Sequence, residues 1–386
     1  MMCSGVWRVI VREWRCIVAQ PLLPLCMIGM PLFGMLFFLT MLSNGLPEHV
    51  PTAVVDLDNS ALSRGFVRNL QAQQAIDVVM QCNSYSEARD AMQRNDIYGF
   101  ILIPHRFAAM LADAKQPAIS FYTNDAYLIP GSLLYECYTT QSMLVSAGVV
   151  QEVLQSLGLP ERRILSLLQP LAIDSQPLGN PWLNYSVYLS NSFLPTILQL
   201  MVLLVTMYAI AREIKHRRTD AWLLAARGSM PVALVGKLLV YAFVFIIEGV
   251  LLQSLLYGYM QYPHHAPMWR MVCAMALMVV ATQSIVLIVL SIVPILSIAY
   301  SVVSVIGVVS FSLGGFSFPV PEMYVPFRVL TNLLPVRHYF LIYVNNALNG
   351  YPLYYCRGEY IALLLFVLVA LLLLPRLYSV VWRYGR

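Results

Sequence analysis

Six apolar runs decide what this chain can fold into, because they are long enough to cross a hydrocarbon layer of about 30 Å. They cover residues 22–42, 187–210, 234–257, 271–293, 296–313 and 360–374, the last continuing past Pro375 towards Val381. With their flanks they predict spans over residues 21–42, 184–211, 232–258, 270–293, 295–314 and 359–380. Only a turn at Pro294 parts the fourth from the fifth, so these two form a tight hairpin. Charged residues make up 11% of the chain, where soluble domains average roughly 25%. The expected class is a polytopic α-helical membrane protein of six transmembrane helices, with an α/β domain inserted between the first and second.

Charge sets the expected orientation, since Lys and Arg near span ends stay on the cytoplasmic side. Arg8, Arg12 and Arg15 precede the first span. Arg212, Lys215, Arg217, Arg218, Arg227 and Lys237 follow the second, and Arg376, Arg383 and Arg386 close the chain. Against these twelve cations stand Glu13, Glu213 and Asp220, a net of +9, whereas the other side carries twelve cations and fifteen acids. Both termini are therefore expected in the cytoplasm. The basic pI is a topology signal and gives no reason to expect nucleic acid. Residues 1–20 place Val6, Trp7, Ile10, Val11, Trp14, Ile17 and Val18 at helical spacing among arginines, which predicts an amphipathic interfacial helix. The first run is longer than a signal-peptide core and is expected to remain as an anchor.

Residues 43–183 are long enough for an extracytoplasmic domain with its own core. Short β-rich runs at 52–57, 76–80, 98–103 and 118–122 alternate with helical segments at 60–71, 84–94 and 104–114, the pattern of a small α/β layer. Longer helices follow at 128–157 and 161–168, and the chain returns to the membrane through Pro170, Pro177 and Pro181. Asp56, Asp58 and Asn59 invite a cation-site reading, but the glycine and terminal glutamate of a calcium loop are missing. A strand end entering a helix cap fits better. His264 and His265 lie in a short loop without further ligands, so no metal site is expected. The seven cysteines show no CxxC spacing; a Cys82–Cys137 bridge is open, with free thiols favoured.

The chemistry absent from the chain narrows its function. There is no GxxxxGK[ST] loop to cradle ATP, and neither HExxH nor GxSxG occurs. Glu248 is the one acid deep in a predicted span, a position that marks a functional candidate because lipid exposure is costly. Gln199, Gln253 and Gln283 could line the same interior or join helix to helix.

Residues 212–231 form a basic loop between the second and third spans. Its Arg212-Glu213, Thr219, Leu223-Leu224 and the following Gly236-Lys237 resemble the stretch after the second span in ABC-2 type transporter permeases. Arg12-Glu13 near the start, the VVDLDNS run and the segment from Gly314 to Tyr339 (GGFSFPVP…LLPVRHY) extend the resemblance over nearly the whole chain. Arg218 stands where the family has glycine, Ala221 where it has an acid, and Arg227 where proline is common. The resemblance implies a bacterial inner-membrane permease subunit that pairs with a second permease copy or paralogue and docks a cytoplasmic ABC ATPase. ATP and magnesium would sit on that partner, with no cofactor on this chain. It admits a periplasmic adaptor as well. Coupling to the ATPase falls on Arg212, Glu213, Thr219, Asp220, Trp222, Leu223 and Leu224, and Leu223→Asp is expected to weaken ATPase copurification.

Proline-rich residues 317–357 are too polar for a full crossing and are expected to form an extracytoplasmic re-entrant helical pair, as in similar permeases. Phe193, Gln199, Phe243 and Glu248 are the nominees for a substrate pathway. The expected activity is export of a lipophilic drug-like molecule, a lipid or an envelope component by alternating access. An ion-gradient-driven secondary transporter and a membrane-anchored receptor or envelope scaffold are the rivals. Paired intramembrane charges would favour the first, and six spans exceed what the second needs.

Overall fold

The computed structural model describes residues 2–43, 45–113, 115–168, 179–180 and 184–384; the expected return segment through Pro170, Pro177 and Pro181 lies outside them. Two compact units emerge, Met1–Ser43 with Pro177–Arg386, and Asn44–Gln176.

The chain opens with α1 (Met2–Val18) and the apolar helix α2 (Leu22–Met41). On α1, Val9, Glu13 and Ile17 recur every fourth residue and are buried, while Trp7, Trp14 and Val18 are exposed. This is the single buried stripe of an amphipathic helix.

The second unit runs β1 (Val50–Asp56), α3 (Ala61–Gln71), β2 (Ile76–Cys82), α4 (Tyr85–Gln93), β3 (Gly99–Ile103), α5 (Phe107–Ala112), β4 (Ser120–Thr123), α6 (Leu128–Ser156) and α7 (Glu161–Leu168). Its sheet has the order β2-β1-β3-β4, with β1 parallel to both neighbours and β4 antiparallel. Alternation along β1 feeds two cores. Val50 and Val54 join Phe66, Val67, Leu70, Leu134 and Tyr138 on one face, and Ala53 and Val55 join Ala88, Ala91 and Phe100 on the other. Buried Thr52 donates to the Gly99 carbonyl and also bonds the Tyr138 hydroxyl. Asp56 ends its strand by accepting the Asp58 and Asn59 N–H groups and the Ser63 hydroxyl. Ser60 then caps α3 through the Ser63 N–H. No group of metal-ligating side chains occurs among the described residues. Cys82 and Cys137 are free thiols in the cores on opposite faces of the sheet. Burial pushes both thiols above their ordinary pKa.

The first unit resumes with α8 (Tyr185–Lys215), α9 (Thr219–Ala225), α10 (Met230–Tyr259), α11 (Met268–Ile292) and α12 (Leu296–Leu313). The short helices α13 (Val325–Thr331) and α14 (Pro335–Ile342, extended by a wider turn through Leu348) precede α15 (Leu353–Leu372) and α16 (Leu374–Tyr384). Among the described residues, α2, α8, α10, α11, α12 and α15 are the six helices long and apolar enough to cross a membrane. Most of α8, α10 and α11 is buried, whereas α2, α12 and α15 are mainly exposed.

Polar side chains join the central helices where apolar lipid could not. Gln253 donates to the Met271 carbonyl (2.9 Å), Gln283 to the Leu238 carbonyl (3.2 Å), and the Tyr257 hydroxyl to Asn191 Oδ1 (2.7 Å). His338 bonds Glu359 Oε2 at 2.5 Å and the Asn332 carbonyl at 3.0 Å, holding α14 against the start of α15.

Candidate coupling junction

Arg-Glu occurs twice, as Arg12-Glu13 on α1 and Arg212-Glu213 at the end of α8, and the fold brings the two pairs together. Arg12 grips Glu213 through two N–H groups, at 3.0 and 2.7 Å, and reaches Glu13 at 2.8 Å. Lys237, about two turns into α10, lies between both acids, 2.8 Å from Glu13 and 3.0 Å from Glu213, and donates to the Ala209 carbonyl at 3.3 Å. Its hydrogen bonds go to Glu213 and the Ala209 carbonyl, and Glu13 pairs with its charge. Arg212 completes the group, 3.6 Å from Glu13 and 3.7 Å from Glu213, with Gln20 accepting its other nitrogen at 2.9 Å. The Tyr241 hydroxyl lies 3.4 Å from Glu13 Oε2.

Glu13 and Lys237 are fully shielded, and Arg212 and Glu213 nearly so. Taking such charges out of water is expensive, and only close, complete pairing repays it. Burial works against the charge on Arg12, yet the Glu213 hydrogen bond and the charges of Glu213 and Glu13 raise its pKa above the ordinary guanidinium value. The backbone spacing is equally demanding. A Cβ on Gly236 would sit 2.8 Å from Val9 Cβ, so only glycine lets α1 approach α10 beside Lys237.

The basic loop folds onto this junction. The Arg218 N–H bonds the Glu213 carbonyl at 2.9 Å, closing α8, and α9 follows at once. Trp222 is buried, donates its indole N–H to the Ala233 carbonyl at 3.2 Å, and lies under Lys237 Nζ at 5.0 Å from the ring centre. Gly228, at φ +78°, stops the helix by bonding the Leu223 carbonyl. Trp222, Leu223 and Leu224, all three expected to couple to the ATPase, do not face the same way. A seven-residue helix packed between α1 and α10 buries the side that holds Trp222 and Leu223, and only Leu224, 75% exposed, faces outward. Arg212, Glu213 and Thr219 are buried as well, while Asp220 is exposed with Lys215, Arg217, Arg218 and Arg227.

The four pathway nominees do not gather. Phe193 lies among Phe38, Phe311 and Phe316. Gln199 donates to Ser310 Oγ (2.9 Å) on α12 and accepts the Val336 N–H (2.7 Å) at the start of α14. Phe243 is 58% exposed on the outward side of α10. Glu248 is buried, and among the described residues neither carboxylate oxygen has a hydrogen-bond partner. Gln199→Leu should therefore lower stability by about 1–3 kcal/mol, because it strands a buried backbone N–H. Unchanged thermal unfolding of the variant in detergent would show that Gln199 does not join these helices.

Lys237, Glu13, Arg12, Gln20 and Tyr241 are junction residues outside the expected coupling set. The repeated Arg-Glu pair and a lysine inside an otherwise apolar helix were the available signals.

A family model described as ABC-2 family transporter protein matches residues 23–374, which include all six candidate spans but for one residue of the first. No curated protein matches the chain.

Proposed function

Because this chain belongs to the ABC-2 family of transporters, and is thus a multi-pass membrane component of an ABC transporter, we propose that it is the permease subunit of an ATP-driven exporter. A separate cytoplasmic ATPase binds at α9, and a second permease copy or paralogue completes the pathway in a bacterial inner membrane. The cargo is a lipophilic small molecule, a lipid or an envelope component. The inserted α/β unit lies on the far side, where an adaptor can meet it.

The buried junction is the observation that carries this reading. ATP-driven closure displaces α9 through Asp220, Leu224 and the flanking arginines. Trp222 and the ion cluster pass that displacement to α8 and α10 together, since separating them would strand buried charges. Two arrangements of α8 and α10 are what alternating access requires. Proteoliposomes holding this chain and the ATPase encoded beside it should transport only with hydrolysable ATP. Transport that persists after the ATPase's catalytic glutamate is replaced would refute the proposal.

Glu248 favours one second reading, coupling to an ion gradient, because an unpaired acid within a span is a place for a proton or cation. A proton gradient alone would then drive transport without ATP, and Glu248→Gln would abolish it.

A further inference from the structure

The inserted unit holds a polar site that the transport reading does not use. In the β1–β2 pair Thr52 faces Val78, but Ala53 faces Met80, so Val79 is an extra residue. Such a bulge reverses the facing of every later side chain. Before it, Ile76 and Val78 pack under α3. After it, Met80 and Cys82 turn to the opposite core, and Gln81 comes under α3 beside Val54. Had Val79 been accommodated in unbroken alternation after Val78, the apolar Met80 would stand opposite Val54 in that place. The result is a cleft of about 270 Å³ between α3 and the carboxyl ends of β1 and β2.

Arg64 and Arg68, one turn apart on α3, line this cleft with Gln71, Gln81 and Asn83, over a floor of buried Val54 and Val67. Neither arginine enters an ion pair among the described residues. Arg64 spends one N–H on the Asn59 carbonyl. Asp56 also lines the cleft, but its carboxylate is committed to Asp58, Asn59 and Ser63. The companion crevice between β1 and β3, where the strand order reverses and ligands of such sheets usually bind, is bridged by Asp58, which accepts the Ala108 N–H at 3.1 Å. The open, electropositive end of the sheet is therefore the α3 side.

We propose that this cleft binds a phosphorylated monosaccharide, its phosphate held by Arg64 and Arg68 and its hydroxyls by Gln71, Gln81 and Asn83. Guanidinium forks match phosphate oxygens. Side-chain amides both donate and accept, as sugar hydroxyls require, and the valine floor suits the C–H face of a sugar ring. The volume is below that of sites for drug-sized ligands, which restricts the occupant to one ring. This chemistry exists free in solution and on the headgroup of an inositol phospholipid. The inference is independent of the transport reading, because its site lies wholly in the inserted unit.

Calorimetric titration of glucose 1-phosphate into the full-length protein, held in phosphatidylcholine nanodiscs, tests it. Saturable binding is expected, weakened roughly tenfold by Arg68→Glu and severalfold by Gln81→Leu, but unaffected by Arg89→Glu, an exposed arginine of α4 outside the cleft. An unaltered unfolding midpoint certifies each variant. Absence of saturation up to about 10 mM, binding insensitive to both cleft variants, or equally tight binding of inorganic phosphate would overturn the proposal. Adding phosphatidylinositol to the nanodiscs separates the sources. Weaker apparent binding of glucose 1-phosphate then assigns the lipid headgroup, unchanged binding assigns the soluble sugar phosphate, and both results support a phosphosugar site.

Discussion

Glu13→Gln is expected to destabilise the protein by about 3–5 kcal/mol, the range for removing one partner from a buried ion pair. The change leaves Arg12, Arg212 and Lys237 facing Glu213 alone, three cations against one anion in place of three against two. Adding Lys237→Met to the same chain restores the single excess positive charge of the natural junction and removes the most deeply buried cation. The double variant should therefore recover much of the loss. Thermal unfolding midpoints of the two single variants and the double variant in detergent form the cycle that checks this. If the double variant falls by the sum of the single losses, the two side chains do not act as a buried pair. Arg12→Ala should cost less than Glu13→Gln, because Arg12 remains 21% exposed and water can replace part of what it gives up.

The second large effect separates folding from docking on α9. Trp222→Ala opens a cavity in a fully buried position and should cost about 3–5 kcal/mol. Leu223→Asp would bury a charge and report on the same core, which makes it unsuitable as a docking test. Leu224→Asp should leave stability within about 0.5 kcal/mol, as surface changes do, while reducing ATPase copurification roughly tenfold or more if Leu224 anchors the interface. Undiminished copurification and transport in Leu224→Asp would remove α9 as the docking surface. A Leu224→Asp protein that unfolds as readily as Trp222→Ala would instead mean that α9 does not expose this side chain.

Much of the scaffold was legible because burial in lipid and pairing in a sheet impose local rules. An apolar run near twenty residues can satisfy its backbone in a membrane only as a helix, so α2, α8, α10, α11, α12 and α15 follow from composition along the chain. The β-rich run at 52–57 announced β1, and the strand end at Asp56, Asp58 and Asn59 announced the cap that opens α3. The bulge at Val79 left no local mark, since one inserted residue alters facing but not composition. A polar or aromatic residue on an apolar helix has no single fate: Gln199 bonds α12 and α14, whereas Phe243 points away from the core.

The loop from Arg212 to Pro231 shows where the boundary falls. Sequence determined that it is basic, that it connects two spans, and that it carries the motifs of an ABC-2 permease. It could not determine which of its residues face a partner, because the groups that cover Trp222 and neutralise Glu213 lie elsewhere, on α1 and α10. Arg12 and Glu213 are 201 residues apart in the chain and 2.7 Å apart in the fold. Covalent order fixes hydrophobic period and net charge, both sums over neighbours in sequence. Burial and ion pairing depend on neighbours in space, and only the packing of α1, α8, α9 and α10 decided those.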